Sequence, residues 1–294
     1  MSKNLLSSWL YPMFAIIAAI SMGAVGTIAK YAQVGSETIT FYRLFFGVLF
    51  LVLYLLKVNK IALLFKKPSL SLLINGGFLA AFMVFYIQAM LYMNMMMAIM
   101  TIYLAPVVAA LFAHFFMNEK LNSSQFMAII CAFLGFTMVM EFNVSLSGTE
   151  FKGLLFGLAA LSCYSAFILV NRTIHDSIHD FTRSSYQLAV GALCVLPLAW
   201  NEMFTINAEQ FGWMLLAGLI PGFLGIVLSI IALRKLPAAT FGTLAYVEPV
   251  SVIALGWVLF NESLSPLQMA GCLVIVMAGL VQAKITVNRQ LAVV

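Results

Sequence analysis

The sequence predicts an all-α polytopic membrane protein, with ten transmembrane helices in two inverted five-helix repeats. Three observations predict it. Of 294 residues, 64% are hydrophobic and only 9% are charged, whereas a soluble chain carries about 25% charged residues to cover its surface. The apolar residues gather in ten runs, and about 20 residues at 1.5 Å each cross a hydrocarbon core about 30 Å thick. The second half also repeats the first at a spacing close to 143 residues.

The runs cover residues 11–32, 38–56, 70–91, 96–117 and 125–140, then 151–170, 182–200, 210–230, 240–260 and 267–283. A transmembrane strand needs only about 9–11 residues and alternates polar with apolar. No such alternation occurs here, and 44–56 and 212–231 lack the polar face of a soluble helix. The first run is too long for a signal-peptide core and meets Lys30 rather than a small-residue cleavage site, so it reads as a helix of the mature protein. Connections are short, which makes sequential helices antiparallel.

Basic residues set the orientation. With the N-terminus inside, the cytoplasmic segments hold 12 of the 15: Lys3, Lys57, Lys60, Lys66, Lys67, Lys120, Arg172, Arg183, Arg234, Lys235, Lys284 and Arg289. The outer loops keep Lys152 and gather Glu37, Glu141, Glu150, Glu202 and Glu209. That asymmetry predicts both termini in the cytoplasm.

The repeat appears as short matched pieces. Leu104-Ala105-Pro106 aligns with Val247-Glu248-Pro249, and Asn118-Glu119-Lys120-Leu121 with Asn261-Glu262-Ser263-Leu264. Shifted by one, Tyr42-Arg43-Leu44 and Gly47 align with Tyr186-Gln187-Leu188 and Gly191. The expected units are 1–146 and 147–294, each holding five spans. Five is odd, so the second unit enters the membrane in the opposite sense. Inverted repeats around a central site are the architecture of alternating access; an old duplication serving only as scaffold is the competing reading.

These pieces resemble the drug/metabolite transporter superfamily, in its ten-helix form of two EamA-type repeats. The marks are Ala89-Met90-Leu91-Tyr92, Tyr103-Leu104-Ala105-Pro106 and Asn118-Glu119-Lys120-Leu121. In the second half they are Pro237-Ala238-Ala239, Tyr246-Val247-Glu248-Pro249, Asn261-Glu262-Ser263-Leu264 and Ala278-Gly279. The resemblance covers nearly the whole chain. It implies a bacterial inner-membrane carrier, mostly exporting small metabolites, with a cavity lined by spans 1, 3, 4, 6, 8 and 9. One departure is Met22 before Gly23, where the family often has tryptophan.

Polar residues inside the spans are the site candidates. Glu248 lies about 12 Å into the ninth run, where a carboxylate is costly unless protonated or paired. Pro249 removes a helical donor beside it; Pro106 repeats that break next to the uncharged Ala105. The asymmetry suggests that Glu248 binds a cationic group or a proton, against the plainer reading of a neutral acid bonded to a neighbouring helix. Arg43 lies about 8 Å inside the second span and Lys30 near the outer end of the first. Either cation can pair with Glu37 or bind a substrate carboxylate, or, for Lys30 especially, snorkel to the surface. Tyr86, Gln88, Tyr103, Tyr164 and Tyr246 could line a cavity, aromatic faces suiting a planar ring or quaternary amine; packing is the alternative for each. His114 is either a proton relay or a hydrogen-bonded packing residue. Pro221 and Gly222 predict a kink or hinge in the eighth span.

Methionines cluster at Met93, Met95, Met96, Met97 and Met100, as an adaptable gate or as plain packing. The Gly-x-x-x-Gly spacings read as close intramolecular packing, with a weak homodimer as the alternative to a monomer. Cys131, Cys163, Cys194 and Cys272 read as small core residues, and the His175, Asp176, His179, Asp180 stretch as a solvated loop rather than a metal site. There is no phosphate-binding glycine loop, no metalloprotease or nucleophile-elbow motif and no basic nucleic-acid surface. No cofactor, metal or nucleic acid is expected, and no enzymatic activity. The partners expected are a small-molecule substrate, membrane lipid and protons. The reading is therefore a secondary transporter, an exporter of small metabolites such as amino acids. Carriage of planar or quaternary amines is one alternative and a non-transporting receptor or scaffold the other.

Overall fold

A computed structural model describes residues 2–93, 95–117, 121–139, 141–142, 150–175, 177–261 and 265–292, with no side-chain detail at 2–8, 95–97, 100, 150 and 289–292. Every regular element among them is helical: α1 Ser2–Ala32, α2 Ser36–Lys57, a 3-10 turn Ile61–Phe65, α3 Leu70–Tyr92, α4 Met95–Tyr103, α5 Ala105–Phe116 and α6 Ser123–Val139. Then come α7 Glu150–Thr173, α8 Asp180–Ala199, α9 Ala208–Ala217, a π-helical segment Gly218–Gly225, α10 Ile226–Lys235, α11 Ala238–Ala245, α12 Val247–Phe260 and α13 Pro266–Ala292.

Among the described residues, seven helical stretches are long and apolar enough to cross a membrane: Trp9–Ala32, Ser36–Lys57, Leu70–Tyr92, Phe151–Thr173, Ala208–Lys235, Ala238–Phe260 and Pro266–Asn288. Thr101–Phe116 and Ser123–Val139 are apolar but shorter. The predicted seventh span corresponds to α8, which opens with Asp180, Thr182, Arg183, Ser184 and Ser185 and is correspondingly less apolar. Those side chains are not waste. Thr182, Arg183, Ser184, Ser185 and Gln187 are all buried; neighbouring segments supply hydrogen-bond partners to Thr182, Arg183 and Gln187, and Ser184 and Ser185 donate to carbonyls of α8 itself.

The burial pattern is inside-out relative to a soluble protein. Leu91, Phe115, Leu193 and Leu273 are each more than 60% exposed, while the interior adds many alanines, glycines and polar groups to its leucines, isoleucines and phenylalanines. Helices approach closely where a side chain is missing. A Cβ on Gly218 would collide with Phe46, and one on Gly135 would lie 2.9 Å from the Gly271 carbonyl oxygen. The glycine spacings thus serve packing within the chain.

Contacts recur in matched pairs. A Cβ on Gly47 would meet the Leu188 side chain at 3.4 Å, and one on Gly191 would meet Leu44 at 3.1 Å. Gly222 presses on the Arg43 backbone, and Gly76 on the Gln187 backbone at 3.2 Å. At one end of the bundle, Thr38 and Tyr42 of α2 donate to the Glu202 carboxylate (2.6 Å) and the Met203 carbonyl (2.8 Å). Thr182 and Tyr186 of α8 correspondingly donate to carbonyls of Leu63 (2.8 Å) and Lys66 (2.9 Å). The Gly35 amide also donates to Glu202, so this carboxylate caps α2 at its positive end.

In the stretch between α7 and α8, His175 and Ser177 are exposed, while the arginines around it are bonded inward. Arg183 is fully buried, and its guanidinium donates to the carbonyls of Asn171, Ile174, His175 and Ile178 at 2.8–3.1 Å. It satisfies the orphan acceptors at the end of α7. Arg234 pairs with Asp180 at 2.7 Å, and Arg172 donates to carbonyls of Leu233 and Leu236. His179 caps α8 by accepting from the Phe181 amide at 3.2 Å. Asp176 lies outside the described residues, and among the described ones no group of His, Cys, Asp and Glu could hold a metal ion. Of the cysteines, none pairs, and Cys194 is exposed rather than in the core.

Burial lowers the His179 pKa below 6.5, with Lys60, Arg234 and Lys66 acting in the same direction and Asp180 against. The folded state therefore favours the neutral ring, whose lone pair makes the cap. That stabilisation is present above the unfolded pKa and is lost as pH falls through the lower folded value. In detergent, unfolding midpoints followed from pH 8 to pH 5 should fall more for the wild type than for His179→Asn, which keeps a cap without a titratable group. Parallel curves would refute this.

Candidate functional site

Two helices are interrupted at equivalent places. The regular helix lapses at Leu104, between α4 and α5, with Pro106 in the first turn of α5. It lapses again at Tyr246, between α11 and α12, with Pro249 in the first turn of α12. Each proline lacks the donor that would continue the preceding helix. The expected breaks at Pro106 and Pro249 are therefore present. Pro106 packs where a Cβ on Gly242 would stand, 2.6 Å away. At Pro221 and Gly222 the expected kink takes the form of the π-helical segment, a wider turn common at functional positions.

Around the second break the structure gathers five of the predicted residues: Glu248 of α12, Arg43 of α2, Tyr86 of α3, Tyr103 at the end of α4 and Tyr164 of α7. Glu248 lies within electrostatic reach of Arg43, Tyr86, Tyr103 and Tyr164. The Tyr103 hydroxyl lies beside its carboxylate. All five side chains are half-buried although the residues sit among five helices, the pattern of groups lining an internal hollow. Tyr164 stacks on Phe82, with ring centroids 4.6 Å apart, and Phe82 in turn stacks on Tyr86 at 6.3 Å.

Arg43 and Glu248 share this hollow without closing into a direct ion pair; among the described side chains, Arg234 with Asp180 is such a pair. Arg43 instead places Nη2 3.9 Å from the Met83 sulfur, and its Nε is buried with no hydrogen-bond partner. A guanidinium donor left unmade in a low-dielectric interior is costly. The backbone keeps Arg43 in place, because its carbonyl lies against Gly222 of the π segment. Arg43 thus faces Glu248 rather than Glu37.

The other predicted residues lie elsewhere. Tyr246 is fully buried, and its hydroxyl donates to the Tyr103 carbonyl at 2.5 Å. Gln88 follows Tyr86 by two residues, about 200° round the helix, and points away from the cluster. Lys30 lies at the end of α1 with its ammonium 3.7 Å over the Phe260 ring. His114, near the end of α5, accepts from the Leu121 amide at 3.1 Å, so it tethers the following connection instead of joining the cluster. Asn94, Glu119 and Glu262 lie outside the described residues, as do the side chains of Met95, Met96, Met97 and Met100.

Phe82 and Met83 were missed. Their signal was their place three and four residues before Tyr86, on the same helical face. Met22 packs its methyl 3.1 Å from a Cβ on Gly225, and a Cβ on Gly23 would meet Ser251 at 2.9 Å and the Glu248 carbonyl at 3.1 Å. α1 is thereby pressed against the backbone that carries Glu248.

Apolar faces outward, interrupted helices and a charged aromatic hollow inside define a multi-pass helical membrane protein of the transporter type. The chain belongs to the EamA-like transporter family, whose description matches residues 9–141 and again 151–281; it is a transporter and not an enzyme. It is 26% identical over 249 residues to the uncharacterized transporter YxxF of Bacillus subtilis, covering 82% of this chain and 78% of that one. It is 24% identical to the pseudopaline exporter CntI of Pseudomonas aeruginosa, over 90% of this chain and 93% of the other. The threonine/homoserine exporter RhtA of Escherichia coli K12 is 23% identical, over 96% and 94%. A protein of known crystal structure shares the fold, with a TM-score of 0.82 at 18% identity over 95% of this chain and 98% of that one.

Gly222→Ala should drive α2 from the π segment and displace Arg43, costing about 1–3 kcal/mol, read as a lower unfolding midpoint in detergent. Gly26→Ala, where a Cβ meets nothing within 4 Å, is the control and should leave the midpoint in place. Equal behaviour of the two would refute the packing role of Gly222.

Proposed function

We propose that the protein exports small zwitterionic metabolites, amino acids or their derivatives, from a bacterial cytoplasm by alternating access. The observation that carries this is the separation of Arg43 and Glu248: opposite charges in one hollow, each presented to the space between them. Arg43 would take a substrate carboxylate through its planar fork, and Glu248 the ammonium. Tyr86, Tyr103 and Tyr164 would enclose the remainder. The exporters CntI and RhtA among the relatives support the direction and the kind of cargo. Glu248 also offers a proton site, so that proton and ammonium would compete for one carboxylate.

Alternating access would come from units 1–146 and 147–294, ten spans in all, threaded in opposite senses with both termini inside. Family matches in each half support two units. So do the paired contacts: Gly47 on Leu188 and Gly191 on Leu44 are the reciprocal pattern of a two-fold axis. In single-cysteine proteins otherwise free of cysteine, Asn122→Cys and Asn261→Cys should label from opposite faces, the first from the cytoplasm. Labelling from one face would end the inverted arrangement.

A second reading, carriage of planar or quaternary amines, is favoured by the stacked Tyr164–Phe82–Tyr86 wall beside a carboxylate. Arg43 discriminates between the two. In proteoliposomes loaded with a panel of labelled amino acids and quaternary amines, the zwitterion reading expects saturable amino-acid flux. Arg43→Gln and Glu248→Gln should each lower it at least about tenfold, equivalent to about 1.4 kcal/mol. Amine flux indifferent to Arg43→Gln would establish the second reading instead.

A further inference from the structure

Three buried amides meet where α3, α7 and α8 pack together. Asn75, Asn171 and Gln187 are each fully buried. α3 and α7 run antiparallel: Phe82 stacks on Tyr164 at 4.6 Å, and a Cβ on Gly153 would lie 2.6 Å from that of Met93. Seven residues back from Phe82 and seven on from Tyr164, about two turns each, bring Asn75 opposite Asn171. The third amide closes the group. A Cβ on Gly76 would lie 3.2 Å from the Gln187 Cα, and Gln187 Nε2 donates to Asn171 Oδ1 at 2.9 Å.

The hydrogen bonds of this group do not close. Asn171 is served on both sides, its Nδ2 donating to the Phe167 carbonyl at 3.1 Å and its Oδ1 accepting from Gln187. Among the described residues, neither amide atom of Asn75 has a partner, and nor has Gln187 Oε1. Bare amide atoms in a sealed interior are costly. Turning the Asn75 amide over changes nothing, because both of its atoms are open. Whatever completes the group must be small, neutral, and both donor and acceptor. Leu72 and Leu79, a turn to either side of Asn75, are buried, as is Phe167 on α7. Arg183 Nη1 donates to the Asn171 carbonyl at 2.9 Å, so a full positive charge already stands there and opposes a metal cation. The open Oδ1 and Oε1 lone pairs oppose an anion.

We propose that Asn75, Asn171 and Gln187 form a sealed water site that joins α3, α7 and α8. A water there accepts from Asn75 Nδ2 and donates to Gln187 Oε1, with its second proton left for Asn75 Oδ1 or for a further water. The site is the quiet counterpart of the charged hollow. Gln187 aligns with Arg43 in the repeat, and Gly76 presses on its backbone as Gly222 presses on that of Arg43. Each of the two side chains keeps one unmet polar atom, Arg43 Nε and Gln187 Oε1. Arg43 stands beside the hollow, whereas Gln187 is closed in by three helices.

The test is X-ray hydroxyl-radical footprinting of the full-length protein in detergent, in which radicals form from water where it stands. Leu72 and Leu79 should oxidise at least about threefold faster than Leu51, a buried leucine of α2, because a held water lies in contact with the side chains around it. Asn75→Leu fills the site with an apolar group of similar size and should bring both leucines down to the Leu51 rate. It should also lower the unfolding midpoint, because Gln187 Oε1 then loses its partner. A dry cluster expects the reverse, a higher midpoint, since two bare atoms are removed. Wild-type oxidation of Leu72 and Leu79 equal to that of Leu51, oxidation unchanged by Asn75→Leu, or a higher midpoint in that variant would each overturn the site. Should Asn75→Leu not fold, the wild-type footprint decides alone.

Discussion

The structure depends on keeping one carboxylate and one guanidinium apart inside an apolar bundle. Burying either group is expensive, and contact between them would repay part of the expense. Here the repayment is only partial. Glu248 has the nearby Tyr103 hydroxyl and the field of Arg43; Arg43 has a sulfur contact and an unmade Nε bond. A packing role would be served better by an apolar pair or a closed ion pair. The arrangement makes sense if a third group completes it, and strain of this kind collects at functional sites.

The scaffold supplies the opposing constraint. Gly222 admits the Arg43 backbone and Gly23 lies against the Glu248 backbone, so each charge is anchored through its main chain to a helix that cannot retreat without losing a close contact. The prolines act alongside. Pro106 and Pro249 stand just after two helix breaks at equivalent places in the repeat, and there Tyr103 and Tyr246 meet. Site and breaks therefore form one unit built from α2, α3, α4, α7 and α12.

Much of this was legible in the sequence because lipid leaves few options for a polar residue. A carboxylate eight residues into an apolar run stands out, and so does a proline repeated 143 residues away beside a neutral neighbour. Tyr86, Tyr103 and Tyr164 could be named as candidates on similar grounds. What stayed hidden depended on helix rotation. Gln88 lies on the wrong face, while Phe82 and Met83 are indistinguishable by composition from the apolar residues around them. Arg183 shows a different failure: a basic residue at a helix end is rightly counted as a topology signal, yet that count says nothing of the four carbonyls it holds.

The two halves are alike in scaffold and unlike in charge. Positions that press helices together are duplicated: Gly47 with Gly191, Pro106 with Pro249, Thr38 and Tyr42 with Thr182 and Tyr186. The charged positions of the hollow are not: Glu248 answers to Ala105 and Arg43 to Gln187, which is bonded to Asn171 at 2.9 Å. A duplicated scaffold is what the proposed alternating access asks of the two halves. A duplicated carboxylate and arginine would place two like charges of each sign near one axis, and like charges in so poor a dielectric could not all remain ionised. One acid from one half and one base from the other avoid that repulsion and leave one charge of each sign for a dipolar cargo.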